Sequence, residues 1–161
     1  MRVTAKVDYA VRAAVELARA HSCGDRDRDE RPPPMTRQAI ADAQDISPKF
    51  LDHILADLKR AGLVGSVRGA DGGYWLSRDP AAITMADIIR AVEGPLADVR
   101  GERPDALGYP DELAVLQRAW IAVRANLRAV LEHVTLADLR DGALPPDVED
   151  LAADPDAWLT R

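Results

Sequence analysis

The chain is poor in cysteine, having only Cys23. One thiol cannot close a disulfide within its own chain or hold an iron–sulfur cluster by itself, and no pattern supports a bridge between subunits. Aromatic residues are almost as scarce, with three Trp, three Tyr and one Phe in 161 residues, so the core must be mainly aliphatic. No apolar run approaches the roughly 18 residues of a membrane span, and no signal-peptide pattern is visible. A cytoplasmic protein is expected. The three histidines, His21, His53 and His133, fall in separate segments and suggest no catalytic constellation, so an enzyme is not expected. A basic excess is also missing, since the net charge is −6. The deficit is local. Residues 1–94 carry 14 basic and 14 acidic side chains, and residues 95–161 carry 7 and 13. Nucleic-acid binding depends on a local basic patch, so it is not excluded for the first part of the chain.

The segment Ser47–Arg78, SPKFLDHILADLKRAGLVGSVRGADGGYWLSR, carries the strongest pattern. Ser47 suits an N-cap and Pro48 the first helical position. Leu51, Ile54, Leu55 and Leu58 recur at helical spacing and define a buried stripe. Lys49, Asp52, His53 and Lys59 fall largely off it and form a polar face. Gly62 suits the left-handed conformation that closes a last turn. Leu63–Arg68 then reads as a strand, Gly69–Gly73 as a glycine-rich turn and Tyr74–Ser77 as a returning strand. A helix with an exposed polar face followed by a tight hairpin is a winged helix-turn-helix. Such a helix fits a DNA major groove, and the hairpin tip reaches the minor groove.

The flanking chain supports a mainly α protein with a small β-hairpin wing. Arg2–Ala20 reads as a first helix, with Val7, Val11, Ala14 and Ala18 inward and Val3 and Val15 beside them. Arg2, Thr4 and Lys6 lie at its start, where N–H groups and cations suit a phosphate. Residues 21–34, HSCGDRDRDERPPP, read as a mobile linker. His21, Cys23 and Asp25 on that linker are too few and too loosely held to argue for a metal site. Thr36 caps a short helix, Arg37–Ala43, with Ala39 and Ile40 inward; Thr36 and Gln38 lie where such a helix crosses the DNA backbone. Ser47, Pro48 and Lys49 form the turn that enters the groove first. Asp52 suits a cytosine amino group, and His53 a base or phosphate. Arg68 precedes Gly69 at the hairpin tip, where a guanidinium is drawn to a narrow, A·T-rich minor groove. Gly69, Gly72 and Gly73 are expected to permit positive φ and close approach to DNA. Thr84 caps a further helix that stops at Gly94–Pro95. Leu113, Leu116, Trp120, Val123, Leu127, Val130 and Val134 then repeat at alternating spacings of three and four, a coiled-coil seam within a helix over Asp111–Val134.

Three stretches together resemble the Rrf-two (Rrf2) family of bacterial transcription regulators, which includes the IscR, NsrR and CymR types. They are MRVTAKVDYAVRAAVELA, FLDHILADLKRAGLVGSVRGADGGYWLSR and ITMADIIRAVEG. The resemblance covers residues 1–94 well and the C-terminal helix more loosely. It implies a DNA-binding domain over 1–94, a loop over 95–110 where cluster-binding members carry three cysteines, a dimerisation helix and cap over 111–144, and an acidic tail over 145–161. Here 95–110 holds no cysteine, so no cofactor and no metal are expected. Asp8 stands where some relatives use a non-cysteine ligand, but one carboxylate does not replace three thiolates. The resemblance implies a homodimer joined by the long helix and reading an inverted-repeat operator, most simply as a repressor. A small-molecule effector would have Asp8, Tyr9, Trp75, Tyr109 and Trp120 to hand, though these aromatics equally suit core and interface. The alternative is a module that acts by binding a metabolic enzyme rather than DNA, as CymR-type relatives suggest.

Overall fold

The computed structural model describes residues 3–22, 32–69 and 71–159. Arg2, Cys23 and Asp25, and with them most of the expected linker, lie outside the described residues.

The first helix, α1 (Ala5–Ser22), supplies the centre of the core. Its buried face is Val7, Ala10, Ala13, Ala14, Leu17 and Ala18. Four of these are alanines, so other helices approach closely. Val3, expected beside this stripe, is exposed because it precedes the helix. Around α1 pack α2 (Arg37–Gln44), α3 (Pro48–Arg60) and α4 (Met85–Glu93). In α2 the inward pair is Ile40 and Ala41, and Ala39 is exposed. The expectation for this helix was rotated by one residue, because an eight-residue helix offers too few apolar positions to fix its phase.

Helix α3 follows its sequence closely. Leu51, Ile54, Leu55 and Leu58 are fully buried, each contributing about 1.5–3 kcal/mol by leaving water. Its end is built at Gly62, with φ +72°. The Gly62 amide donates to the Lys59 carbonyl and the Leu63 amide to that of Leu58, each at 3.0 Å. Both orphan carbonyls are thereby satisfied, and the chain turns directly into the hairpin. Strands β1 (Val64–Val67) and β2 (Gly73–Leu76) pair antiparallel with Val64 opposite Leu76 and Val67 opposite Gly73. Met35 bridges the other edge of β2, exchanging amide–carbonyl bonds of 2.9 and 2.8 Å with Tyr74.

The expected long helix is shorter than the Asp111–Val134 pattern. A 3₁₀ turn occupies Asp111–Leu113, and α5 runs over Ala114–Leu131. Val134 leaves the seam altogether. It is 1 % exposed, and its carbonyl accepts from the Met85 amide at 2.9 Å. The heptad rhythm continued through a break in the helix, and tertiary burial took its last member. Thr135 then opens α6 (Leu136–Asp141) with a capping box to Asp138, and fully buried Leu136 returns the chain to α1. Helix α5 is therefore an excursion from the core that leaves and re-enters it beside α4. Helix α7 (Pro146–Ala153) closes the chain. The tail's Trp158 remains 79 % exposed, its indole N–H donating to the Ala152 carbonyl at 2.7 Å.

Candidate nucleic-acid interface

Helices α2 and α3 meet through Asp45, which takes the left-handed conformation (φ 51°), and Ile46, buried at the turn. Short polar Asp tolerates that geometry better than most side chains. The turn joins the C-terminal end of α2 to the N-terminus of α3. Thr36 Oγ1 accepts from the Ala39 amide at 3.1 Å as the N-cap of α2. Gln38 donates to Asp42 at 2.7 Å on the outer face. Ser47 precedes Pro48 without using its hydroxyl as a cap.

The expected contact residues divide by whether their charge is already spent. Lys49, His53 and Arg68 are exposed and carry no ion pair or side-chain hydrogen bond among the described residues. Lys6 is different, because it is already partnered within the subunit. Its ammonium bonds Asp57 at 2.8 Å and the Val92 carbonyl at 2.7 Å. It ties α1 to α3 and α4 from a partly buried position. Lys6 and Arg60 together hold the Asp57 carboxyl below its ordinary range. Thr4 is likewise engaged, donating to Glu93 at 2.7 Å and accepting from the Val7 amide at 3.2 Å. Asp52 is not a free acceptor for a cytosine amino group, because both of its oxygens accept from Arg37, at 2.9 and 2.7 Å. Lys59 donates to Ser66 at 2.7 Å, joining α3 to the first wing strand.

Two residues absent from the sequence reading belong to this face. Arg37 brings a cation from α2 to the middle of α3, and no local pattern links residues 15 apart. Phe50, 36 % exposed, packs edge-on to Tyr9 at 5.7 Å, and Arg12 lies over that ring at 5.4 Å. Tyr9 is thus covered by α3 and by its own helix, while Asp8 pairs with Arg12 at 3.4 Å.

At the wing, Arg68 follows the last residue of β1 and Gly69 takes φ +120°. Gly72 and Gly73 do not adopt positive φ. A Cβ on Gly72 would lie 2.6 Å from the Val67 carbonyl oxygen, and one on Gly73 would collide with the Met35 carbonyl. The chain's own backbone crowds both positions, which is a sufficient reason for glycine there. Trp75 lies across Gly65 of the opposite strand. Of the five residues suggested for an effector, Tyr9 packs against Phe50 and Asp8 pairs with Arg12, Trp75 lies in the hairpin, Tyr109 precedes α5 and Trp120 lies within it.

Helix α5 exposes the rest of the seam. No residue of α5 is buried in the subunit. Leu116 and Val123 are 37 and 45 % exposed, Leu113 is exposed beside them, and Trp120, Leu127 and Val130 are half-buried. Val115 and Ile121 add exposed apolar surface outside the expected seam. The flank of α5 beside Trp120 and Leu127 is held by Gln117, which donates to the Leu107 carbonyl at 2.7 Å, and by Arg124, paired with Asp105 at 2.8 Å. Residues 95–110 offer Asp98, Glu102 and Asp105 as oxygen donors and no thiolate. Among the described residues no group of three or more His, Cys, Asp or Glu is placed to hold a metal ion, and no helix is long and apolar enough to cross a membrane. The donor set does not fit an iron–sulfur cluster.

A family model described as Rrf2, iron-dependent transcriptional regulator, matches residues 3–142. The Mycobacterium tuberculosis (strain ATCC 25618 / H37Rv) protein Rv1287, whose name describes an HTH-type transcriptional regulator, is 44 % identical over 154 residues, covering 96 % of this chain and 90 % of the relative. The Bacillus subtilis (strain 168) HTH-type transcriptional regulator CymR is 35 % identical over 139 residues, covering 86 and 89 %. The solved structure of B. subtilis CymR, described as the global cysteine regulator, superimposes with a TM-score of 0.70 at 34 % identity, covering 89 % of this chain and 98 % of that one. T. potens IscR does so with a TM-score of 0.65 at 31 % identity, covering 100 and 93 %. These relatives are named as regulators rather than enzymes, and the winged architecture is theirs. The chain belongs to the Rrf2 family of helix-turn-helix transcriptional regulators.

Proposed function

We propose that two copies pair along α5 and bind an inverted-repeat operator, most simply as a repressor, without an iron–sulfur cluster. The N-terminal turn of α3, with Ser47, Pro48, Lys49 and His53, enters the major groove. Thr36 and Gln38 lie along the adjacent backbone, beside the Arg37–Asp52 pair. Arg68 at the wing tip enters the minor groove beside Gly69. The domain over 1–94 thereby reads DNA, α5 joins the subunits while the cap that follows it packs back on α1, and residues 95–110 link the two without ligating iron.

One observation carries this reading. The cations at the two expected contact points, Lys49 and Arg68, have no intramolecular partner among the described residues, whereas Lys6 does. A charge left uncommitted at both points is available for phosphates and grooves. The bare apolar face of α5 supports the dimer, because an unburied seam of this length is stable only against another helix. The test is binding of the purified protein to its own promoter DNA, followed by fluorescence anisotropy. Arg68→Ala is expected to weaken operator binding at least tenfold, most strongly where A·T pairs face the wing. Operator affinity unchanged by Arg68→Ala would remove the wing from the interface.

A further inference from the structure

We propose that the cleft between α4 and α5 is a binding site for a small organic anion, held by Arg90 and Arg124. The cleft has a volume of about 350 Å³, within the range of small-molecule sites, and is broadly open to solvent. Its lining is Arg90 from the last turns of α4, Arg124 from the middle of α5, and the connecting residues Gly94, Pro95 and Leu96. No carboxylate belongs to that lining. The two guanidinium groups present planar forks suited to a carboxylate or phosphate. Leu96 and Pro95 supply an apolar floor for a short aliphatic body. Gly94, at φ +90°, leaves open space where a side chain would stand.

Both arginines already have acidic partners, and those partners make the site workable. Arg90 pairs with Glu132 and, at 4.0 Å, with Asp87, which also keeps Arg78 at 3.7 Å; Arg124 pairs with Asp105 at 2.8 Å. Each acid also holds a second arginine: Glu132 bonds Arg128 at 3.0 Å, and Asp105 bonds Arg103 at 2.8 Å. An incoming anion can therefore engage Arg90 and Arg124 while no carboxylate loses its last cation. The usual penalty for breaking an ion pair, an uncompensated charge, does not arise.

The two arginines also belong to different parts of the molecule. Arg90 rides on α4, which packs on α1 and α3, while Arg124 rides on the arm that leaves the core. A ligand bridging them would fix the angle of α5 relative to α3, and in a dimer the spacing of the two recognition helices. Only this last step rests on the DNA-binding reading; the site itself does not.

The experiment uses the full chain with two probes, inorganic phosphate and succinate, at constant ionic strength in chloride. A saturable rise in Tm with at least one probe is expected, and the stronger probe names the anionic group. The rise should persist in Arg118→Gln, an exposed change elsewhere on α5, and disappear in Arg124→Gln. Arg124→Lys keeps the charge but loses the fork, and should bind at least tenfold more weakly by calorimetry. No saturable rise with either probe, an equal rise in Arg124→Gln, or wild-type affinity in Arg124→Lys overturns the site. Operator affinity is measured in parallel. A ligand-dependent Tm with unchanged operator affinity keeps the site and rejects the coupling, and a ligand-dependent Tm in a protein that binds no DNA rejects only the DNA-binding reading.

Discussion

Lys6 and Lys49 offer a matched test of how the fold allocates charge. Each is replaced by glutamine, removing one cation per subunit. At Lys49 the ammonium is uncommitted, so one phosphate contact per subunit, two per dimer, should be lost. Each contact contributes about 0.9 to the slope of log K against log salt, so that slope should flatten by about 1.8. Relative to 1 M salt, the same release of counterions corresponds to binding weakened by about 30-fold at 0.15 M. Thermal stability should hardly move, because nothing in the subunit leans on Lys49. At Lys6 the outcome should reverse. The salt slope stays, but the Asp57 ion pair and the bond to the Val92 carbonyl are lost. With about a third of the lysine side chain exposed, screening limits the ion pair to about 1 kcal/mol, and the hydrogen bond adds about 0.5–1.5 kcal/mol. A chain of this size should then melt roughly 3–10 °C lower. The assays are anisotropy titrations at four salt concentrations and a calorimetric melt. A flattened salt slope in Lys6→Gln, or an unchanged one in Lys49→Gln, would refute the allocation.

Leu116→Asp with Val123→Asp should give a folded monomer by sedimentation, since both side chains are already exposed in the subunit, and operator binding should fall with dimerisation; a dimer that survives both changes would place the interface elsewhere. Gly73→Ala should destabilise the protein by about 1–3 kcal/mol, because the new methyl meets the Met35 carbonyl, which cannot retreat without breaking the bridge to Tyr74; an unchanged denaturation midpoint would contradict that packing. Glu132 has its carboxyl held down to about 2 by Arg128 and Arg90. A depressed folded value stabilises above the ordinary carboxylate range and is lost as pH falls from about 4.5 toward 2. Tm measured across that interval should therefore fall less steeply in Glu132→Gln, and parallel curves would show that the pair adds nothing.

Sequence alone determined the winged helix-turn-helix, because local physics decides most of it. The apolar stripe of α3, the glycine that ends it and the alternating hairpin each demand one conformation within a few residues. The same local logic marked the α5 seam as an apolar stripe. Long-range partners decided the rest. Lys6 and Lys49 look alike along the chain, and only the arrival of Asp57 and Val92 separates a structural lysine from an available one. Arg37 joins the candidate DNA face because α2 lies across α3. Val134 left the heptad pattern because the chain bends after Leu131 and buries it beside α4. Periodicity reports which faces are apolar, but not which neighbour will cover them or which charges will find partners first; those depend on contacts between residues tens of positions apart, which exist only once the helices have packed.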